Sequence, residues 1–135
     1  GIDARELCGH PTGVGRYLGG LIQVWAAAPA ARGHEFILYA PQDLRLPPAS
    51  GFRTRIVPGP AGTWWEQVRL RAALTGDRPD VFFAPAYSGP LLRKIPVVLA
   101  LHDLSFVAHP EWFTTREGLR RRWLARRSAA RAGVA

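Results

Sequence analysis

Val14, Tyr17, Leu18, Leu21, Ile22 and Trp25 fall at positions i, i+3, i+4, i+7, i+8 and i+11, the apolar stripe of a core-facing helix. Pro29 cannot continue its hydrogen-bond ladder and Gly33 can take a left-handed exit, so the helix is expected to end between Ala28 and Arg32. Glu35 to Ala40, Asp80 to Pro85 and Pro96 to Leu101 are apolar without alternation, as strands buried on both faces are. Gly1 to Ala4 reads as the end of a strand whose earlier residues lie outside the chain. Arg53 to Val57 is a shorter strand candidate, after a loop marked by Pro47, Pro48 and Gly51. Thr63 and Glu66 have capping-box spacing, predicting a helix from Trp64 to about Leu74 that leaves at Gly76 and turns Trp65, Val68 and Ala72 to a sheet. A last helix is predicted from about Thr115 to Ala132, with Leu119, Trp123 and Ala130 roughly on one side, before a turn at Gly133-Val134-Ala135 into a further strand.

Strands alternating with helices, apolar on both faces, predict an α/β fold: a Rossmann-like open, mostly parallel sheet with helices on both faces. Ligands bind such sheets at the carboxyl ends of the strands. The functional candidates are therefore the loops Arg5 to Arg16, Pro85 to Pro90 and His102 to Pro110.

The 135 residues, 47% hydrophobic and 21% charged, suit one domain spanning 1–135. No window of about 18 uninterrupted apolar residues suggests a membrane span, and the first residues lack a signal-peptide layout. A lone cysteine, Cys8, excludes an intrachain disulfide or a thiolate metal cluster and fits a reducing cytoplasm. Basic residues outnumber acidic ones 18 to 10, and seventeen of the eighteen are arginine. Seven lie between Arg116 and Arg131 with only Glu117 opposing them, so this segment carries +6 of the formal +8.

Thr12-Gly13-Val14-Gly15-Arg16 stands between a strand and a helix. Free N–H groups in a first helical turn favour a phosphate or carboxylate, and Arg16 adds a bidentate donor; the plainer reading is an ordinary glycine-rich turn. Gly13-Val14-Gly15 is half of a dinucleotide fingerprint, but Leu18 replaces its third glycine, about eight residues separate Ala4 from Gly13 where a tight turn is needed, and the second strand ends in Tyr39-Ala40-Pro41 without an acid at its tip to take the ribose hydroxyls, which speaks against NAD or FAD. His102-Asp103 closes the strand ending at Leu101; the histidine suits proton transfer, and Asp103 either orients it, accepts a proton itself, or only caps the loop at Ser105 or Phe106. His10, His34 and His109 have no metal-site spacing. The arginine-rich helix either packs its apolar edge on the sheet with its arginines solvated, or uses Trp123 and its arginines on an anionic membrane surface. Nucleic acid is disfavoured, because no stacking platform accompanies the charge.

Gly1-Ile2-Asp3-Ala4-Arg5-Glu6-Leu7, Thr12 to Tyr17, Ala84 to Pro90, and His102 to Phe106 with His109 to Phe113 together resemble the amino-terminal domain of family 4 glycosyltransferases. The resemblance covers nearly the whole chain, with the blocks in the family's order. It implies one half of a GT-B fold, the acceptor side of a retaining, mannosyltransferase-like enzyme that moves sugar from a nucleoside-diphosphate donor to a glycan or lipid-linked acceptor. It further implies that Gly13, Val14, Gly15 and Arg16 approach the donor phosphates, that His102 contacts the transferred sugar, and that Asp103 borders the acceptor. Tyr87 and Ser88 are implied acceptor contacts. No metal or cofactor beyond the donor is expected. The family's carboxyl-terminal donor domain lies outside these 135 residues, so the chain alone is expected to be inactive. The expected location is the cytoplasm, at the inner membrane if Arg116 to Arg131 binds lipid. The competing classes are a noncatalytic carbohydrate- or phosphate-binding module and a basic membrane-surface adaptor.

Overall fold

The computed structural model describes residues 1–10, 12–44, 51–92 and 94–133. Its strands are β1 (Ile2–Asp3), β2 (Phe36–Ala40), β3 (Phe52–Ile56), β4 (Phe82–Ala84) and β5 (Val97–Leu99). Helix α1 (Gly13–Ala27) follows β1, and a π-helix over Trp65–Leu70 leads into α2 (Arg71–Asp77). Helices α3 (Ser105–Ala108) and α4 (Thr115–Ala129) follow β5. The sheet is parallel in every pairing and ordered β3-β2-β1-β4-β5, the expected Rossmann-like architecture. The expected loop prolines Pro47 and Pro48, and Val134 and Ala135 of the final turn, lie outside the described residues.

Strand alternation divides the interior into two layers. Ile37, Tyr39, Phe82, Ala84, Val97 and Leu99 face Trp65, Leu70 and Leu74, with Ala129 of α4 at the margin. Ile2, Ala4, Leu38 and Ala40 face Leu18 and Ile22 of α1. Thr12 caps α1, its Oγ1 accepting from Gly15 N–H at 2.9 Å. The helix ends before Pro29, which opens a single 3-10 turn, and Gly33 follows with φ +90°. Most of the predicted stripe packs inward, but Tyr17 is largely exposed.

The second helix departs from its prediction. A π-helix adds a residue per turn, so the buried positions become Trp65, Leu70 and Leu74, while Val68 and Ala72 face solvent. There is no capping box: Glu66 N–H donates to Gly62 O at 2.9 Å, and the Glu66 carboxylate is buried among other partners. The left-handed exit residue is Arg78, with φ +50°, and Gly76 lies inside α2.

The face of α4 is also reversed. It packs through Gly118, Leu124, Ala125 and Ser128, while Leu119 and Trp123 point outward. Close approach selects this face: Ser128 Oγ donates to Gly89 O at 3.3 Å and accepts from Gly89 N–H at 3.2 Å. Gly89 itself is pressed against Ala84, where an added Cβ would come within 2.9 Å.

Trp65 is fully buried and its indole N–H donates to Val57 O at 2.7 Å. Trp65→Phe is expected to destabilise by about 2 kcal/mol, from an unpaired carbonyl and a small void. Trp64→Phe, at the exposed neighbour, should stay within about 0.5 kcal/mol of wild type. Urea unfolding of the two variants measures the contrast.

Candidate functional site

The chain winds outward from β1 through β2 and β3, then crosses to β4 and β5 on the other side of β1. Between β1 and β4 the strand order reverses, and the loops leaving their carboxyl ends part to form a crevice. A cavity of about 250 Å³ lies there, lined by Arg5 and Glu6 after β1, Ala86 to Ser88 after β4, Gly62, Thr63 and Glu66 from the π-helix side, and Arg120 of α4.

Its floor is a buried charged cluster. Arg5 reaches the Asp3 carboxylate at 2.9 Å and also pairs with Glu66. Glu66 further accepts from Ser88 Oγ at 2.9 Å and from Gln67 Nε2 at 2.6 Å. Gln67 in turn holds the loop after β4, donating to Gly89 O at 3.0 Å and accepting from Leu91 N–H at 3.1 Å. Burial opposes the Arg5 charge, but Asp3, Glu66 and Glu6 together outweigh it and the guanidinium stays protonated. Burial also pushes the Asp3 carboxyl up from 3.8 to about 6, against the pull of Arg5.

The glycine turn opens α1 at the same carboxyl rim, with α1 itself on the opposite face of the sheet from the π-helix, and Gly13 to Tyr17 lie outside the cavity lining. Gly13 is exposed and open, with nothing within 4 Å of where a Cβ would stand. Gly15 is buried, and a Cβ there would come within 2.4 Å of Glu6 O. Only Gly13 therefore leaves room for a ligand; Gly15 is demanded by the turn over Arg5–Leu7. Arg16 is exposed, and among the described residues the N–H groups of Gly13 and Val14 have no acceptor. Thr12 Oγ1 donates to the Glu6 carboxylate at 3.0 Å, which sets one negative charge beside this turn.

Tyr17, the residue after Arg16, lies edge-on to His102, ring centroids 4.5 Å apart. The glycine turn and the histidine step, about 85 residues apart in sequence, thus meet on one rim. His102 Nε2 lies 2.9 Å from Pro85 O. A carbonyl only accepts, so Nε2 is the donor in this contact, and Nδ1 is the ring nitrogen left to face a ligand. Asp103 takes the capping arrangement, accepting from Ser105 N–H and Ser105 Oγ, both at 2.7 Å. These two bonds, the side-chain one foremost, hold its carboxyl below the usual range, which makes it a weak proton acceptor. Tyr87 packs on Phe106 with centroids 5.3 Å apart and lies under the Arg121 guanidinium. Ser88 is buried and its hydroxyl is spent on Glu66.

Sequence reasoning missed Asp3, Arg5 and Glu66. The one available signal was a set of charged side chains placed among residues otherwise bound for the core: Asp3 between Ile2 and Ala4, and Glu66 beside Trp65.

A parallel sheet in this order with a cavity at its switch point defines a Rossmann-like α/β domain. A family model described as Glycosyltransferase Family 4 matches residues 11–134, nearly the entire chain, and the chain belongs to that family as an amino-terminal domain. Neither the curated proteins nor the solved structures yielded a match.

Gly15→Ala is expected to destabilise by about 1–3 kcal/mol despite alanine's better helix propensity, because Glu6 O must move. Gly13→Ala should leave stability within about 0.5 kcal/mol of wild type; thermal unfolding of the pair separates packing from access. Asp3 supplies a pH signature. The folded chain holds its proton where the unfolded chain has released it, so its contribution is complete below pH 3.8 and is lost as pH rises through about 6. Urea midpoints from pH 4 to 7 should fall less steeply in Asp3→Asn than in wild type, and parallel profiles would contradict this.

Proposed function

We propose that the domain is the acceptor-side half of a two-domain GT-B glycosyltransferase, working with a carboxyl-terminal Rossmann-like half that holds most of a nucleoside-diphosphate sugar. Transfer is to a glycan or lipid-linked acceptor on the cytoplasmic side, with retention of configuration and a mannosyltransferase-like choice of sugar. The observation that carries this reading is the meeting of the α1 turn, Tyr17 and His102 on the rim that also bears the switch-point cavity.

In this reading the donor's phosphates lie against the open Gly13 and Val14 N–H groups and Arg16. The anomeric carbon–oxygen bond breaks and the nucleoside diphosphate leaves with the electron pair, while an acceptor hydroxyl forms the new glycosidic bond and gives up its proton to the departing phosphate. Fixed donors already aimed at the phosphate stabilise the charge that develops there. His102 offers Nδ1 to a hydroxyl of the transferred sugar, its ring fixed by Pro85 O and Tyr17. The acceptor occupies the cavity against Tyr87. Ser88 and Asp103 act as positioning residues, Ser88 through Glu66 and Asp103 through the α3 turn. No cofactor beyond the donor is required.

In the two-domain enzyme, His102→Ala is expected to lower kcat by about 100-fold, the scale of one polar contact made in the transition state, with an unchanged unfolding midpoint. The 135-residue chain alone should show no turnover of nucleotide sugar. Robust transfer by it alone would refute the two-domain reading.

A further inference from the structure

We infer that the outward face of α4 is a docking surface for an anionic phospholipid bilayer. The helix turns Gly118, Leu124, Ala125 and Ser128 to the protein, and this leaves Leu119 56% and Trp123 52% exposed, one turn apart on the opposite side. Ala130 continues the strip, and Arg116, Arg120, Arg126, Arg127 and Arg131 border it, all exposed. The helix's one acid, Glu117, points inward and is occupied by Arg121, whose Nε donates to it at 2.9 Å. Among the described residues no carboxylate pairs with any of the five bordering arginines. Arg127 rests over the Trp123 ring at 5.6 Å, an amphipathic pair suited to the headgroup level.

This pattern distinguishes the occupants. A nucleic acid would take the arginines but leave Leu119 and Trp123 in water, with the indole face already covered by a guanidinium. A second copy of the same face would set five arginines against five. A bilayer with anionic headgroups satisfies both halves, taking the apolar strip into the acyl boundary and the guanidinium groups among phosphates. Among the described residues no helix is long and apolar enough to cross a membrane, so the contact is with the surface. Arg120 also lines the switch-point cavity, and its Nη1 lies 3.5 Å from Thr63 Oγ1 on the cavity wall. Docking through α4 therefore brings the cavity mouth to the headgroup layer.

The test is partition of the 135-residue chain onto vesicles of phosphatidylcholine with 30% phosphatidylglycerol, followed by sedimentation at about 0.1 M salt, beside vesicles of phosphatidylcholine alone. Binding is expected only on the anionic vesicles. Arg126→Gln with Arg127→Gln should weaken it about 30-fold, from about fivefold per arginine. Leu119→Ser with Trp123→Ser keeps the charge, and should weaken it at least tenfold. All four positions are exposed, and thermal unfolding verifies that the variants fold. The inference is overturned by equal partition onto neutral vesicles, by no binding to anionic ones, or by a serine variant that binds like wild type, which would reduce the face to a general polyanion site. Because vesicle partition does not depend on sugar transfer, it can fail while the glycosyltransferase reading stands.

Discussion

Arg5, held between the Asp3 and Glu66 carboxylates, is the interaction on which the carboxyl rim of the sheet depends. The side chains of Asp3 and Glu66 are almost inaccessible and that of Arg5 is only 10% exposed, so each ion has given up most of its hydration. Such clusters contribute little net stability against an apolar substitute, yet losing one member strands the others, at a cost of about 3–5 kcal/mol. Its value here is geometric. One guanidinium ties the end of β1 to the π-helix, and Ser88 and Gln67 extend the tie to the loop after β4. The three walls of the cavity are thereby fixed to one another.

Much of the fold was legible because it rests on short-range pattern. The α1 stripe and the stop at Pro29 are local signals, and both hold apart from Tyr17. Strands β2, β4 and β5 announced themselves as continuous apolar runs, though β4 and β5 are shorter than the runs that predicted them, with Val81 and Leu101 exposed at their ends. Prediction failed where a local rule met a tertiary demand. A 3.6-residue period cannot anticipate a π-helix, so it turns Val68 and Ala72 to the sheet where the structure buries Leu70 and Leu74. Capping-box spacing gave Glu66 a local partner, while its true partner, Arg5, stands 61 residues away. In α4, Leu119 and Trp123 suggested the packed side, but the hydrogen bonds between Ser128 and the Gly89 backbone turn the other face inward.

The site was legible in its parts and less so in their division of labour. Loops at the carboxyl ends follow from the fold class, and three of them do approach one another. Composition cannot separate the two glycines flanking Val14, one facing open space and the other pressed on a backbone oxygen. Nor can it foresee that Asp103 spends both oxygens on Ser105, or that Tyr17 leaves the core stripe to meet His102.

The far margin of the sheet carries a consequence of its own. Among the described residues strand β3 has one free side, which in a parallel sheet offers a row of unsatisfied peptide groups to any extended chain. Arg53 and Arg55 project from it at alternate positions, steadied by Glu35 and Asp77. An intruding strand would have to lie alongside two guanidinium groups and disturb their carboxylate partners. The arginine that enriches this chain thus also guards its border against accretion into aggregates.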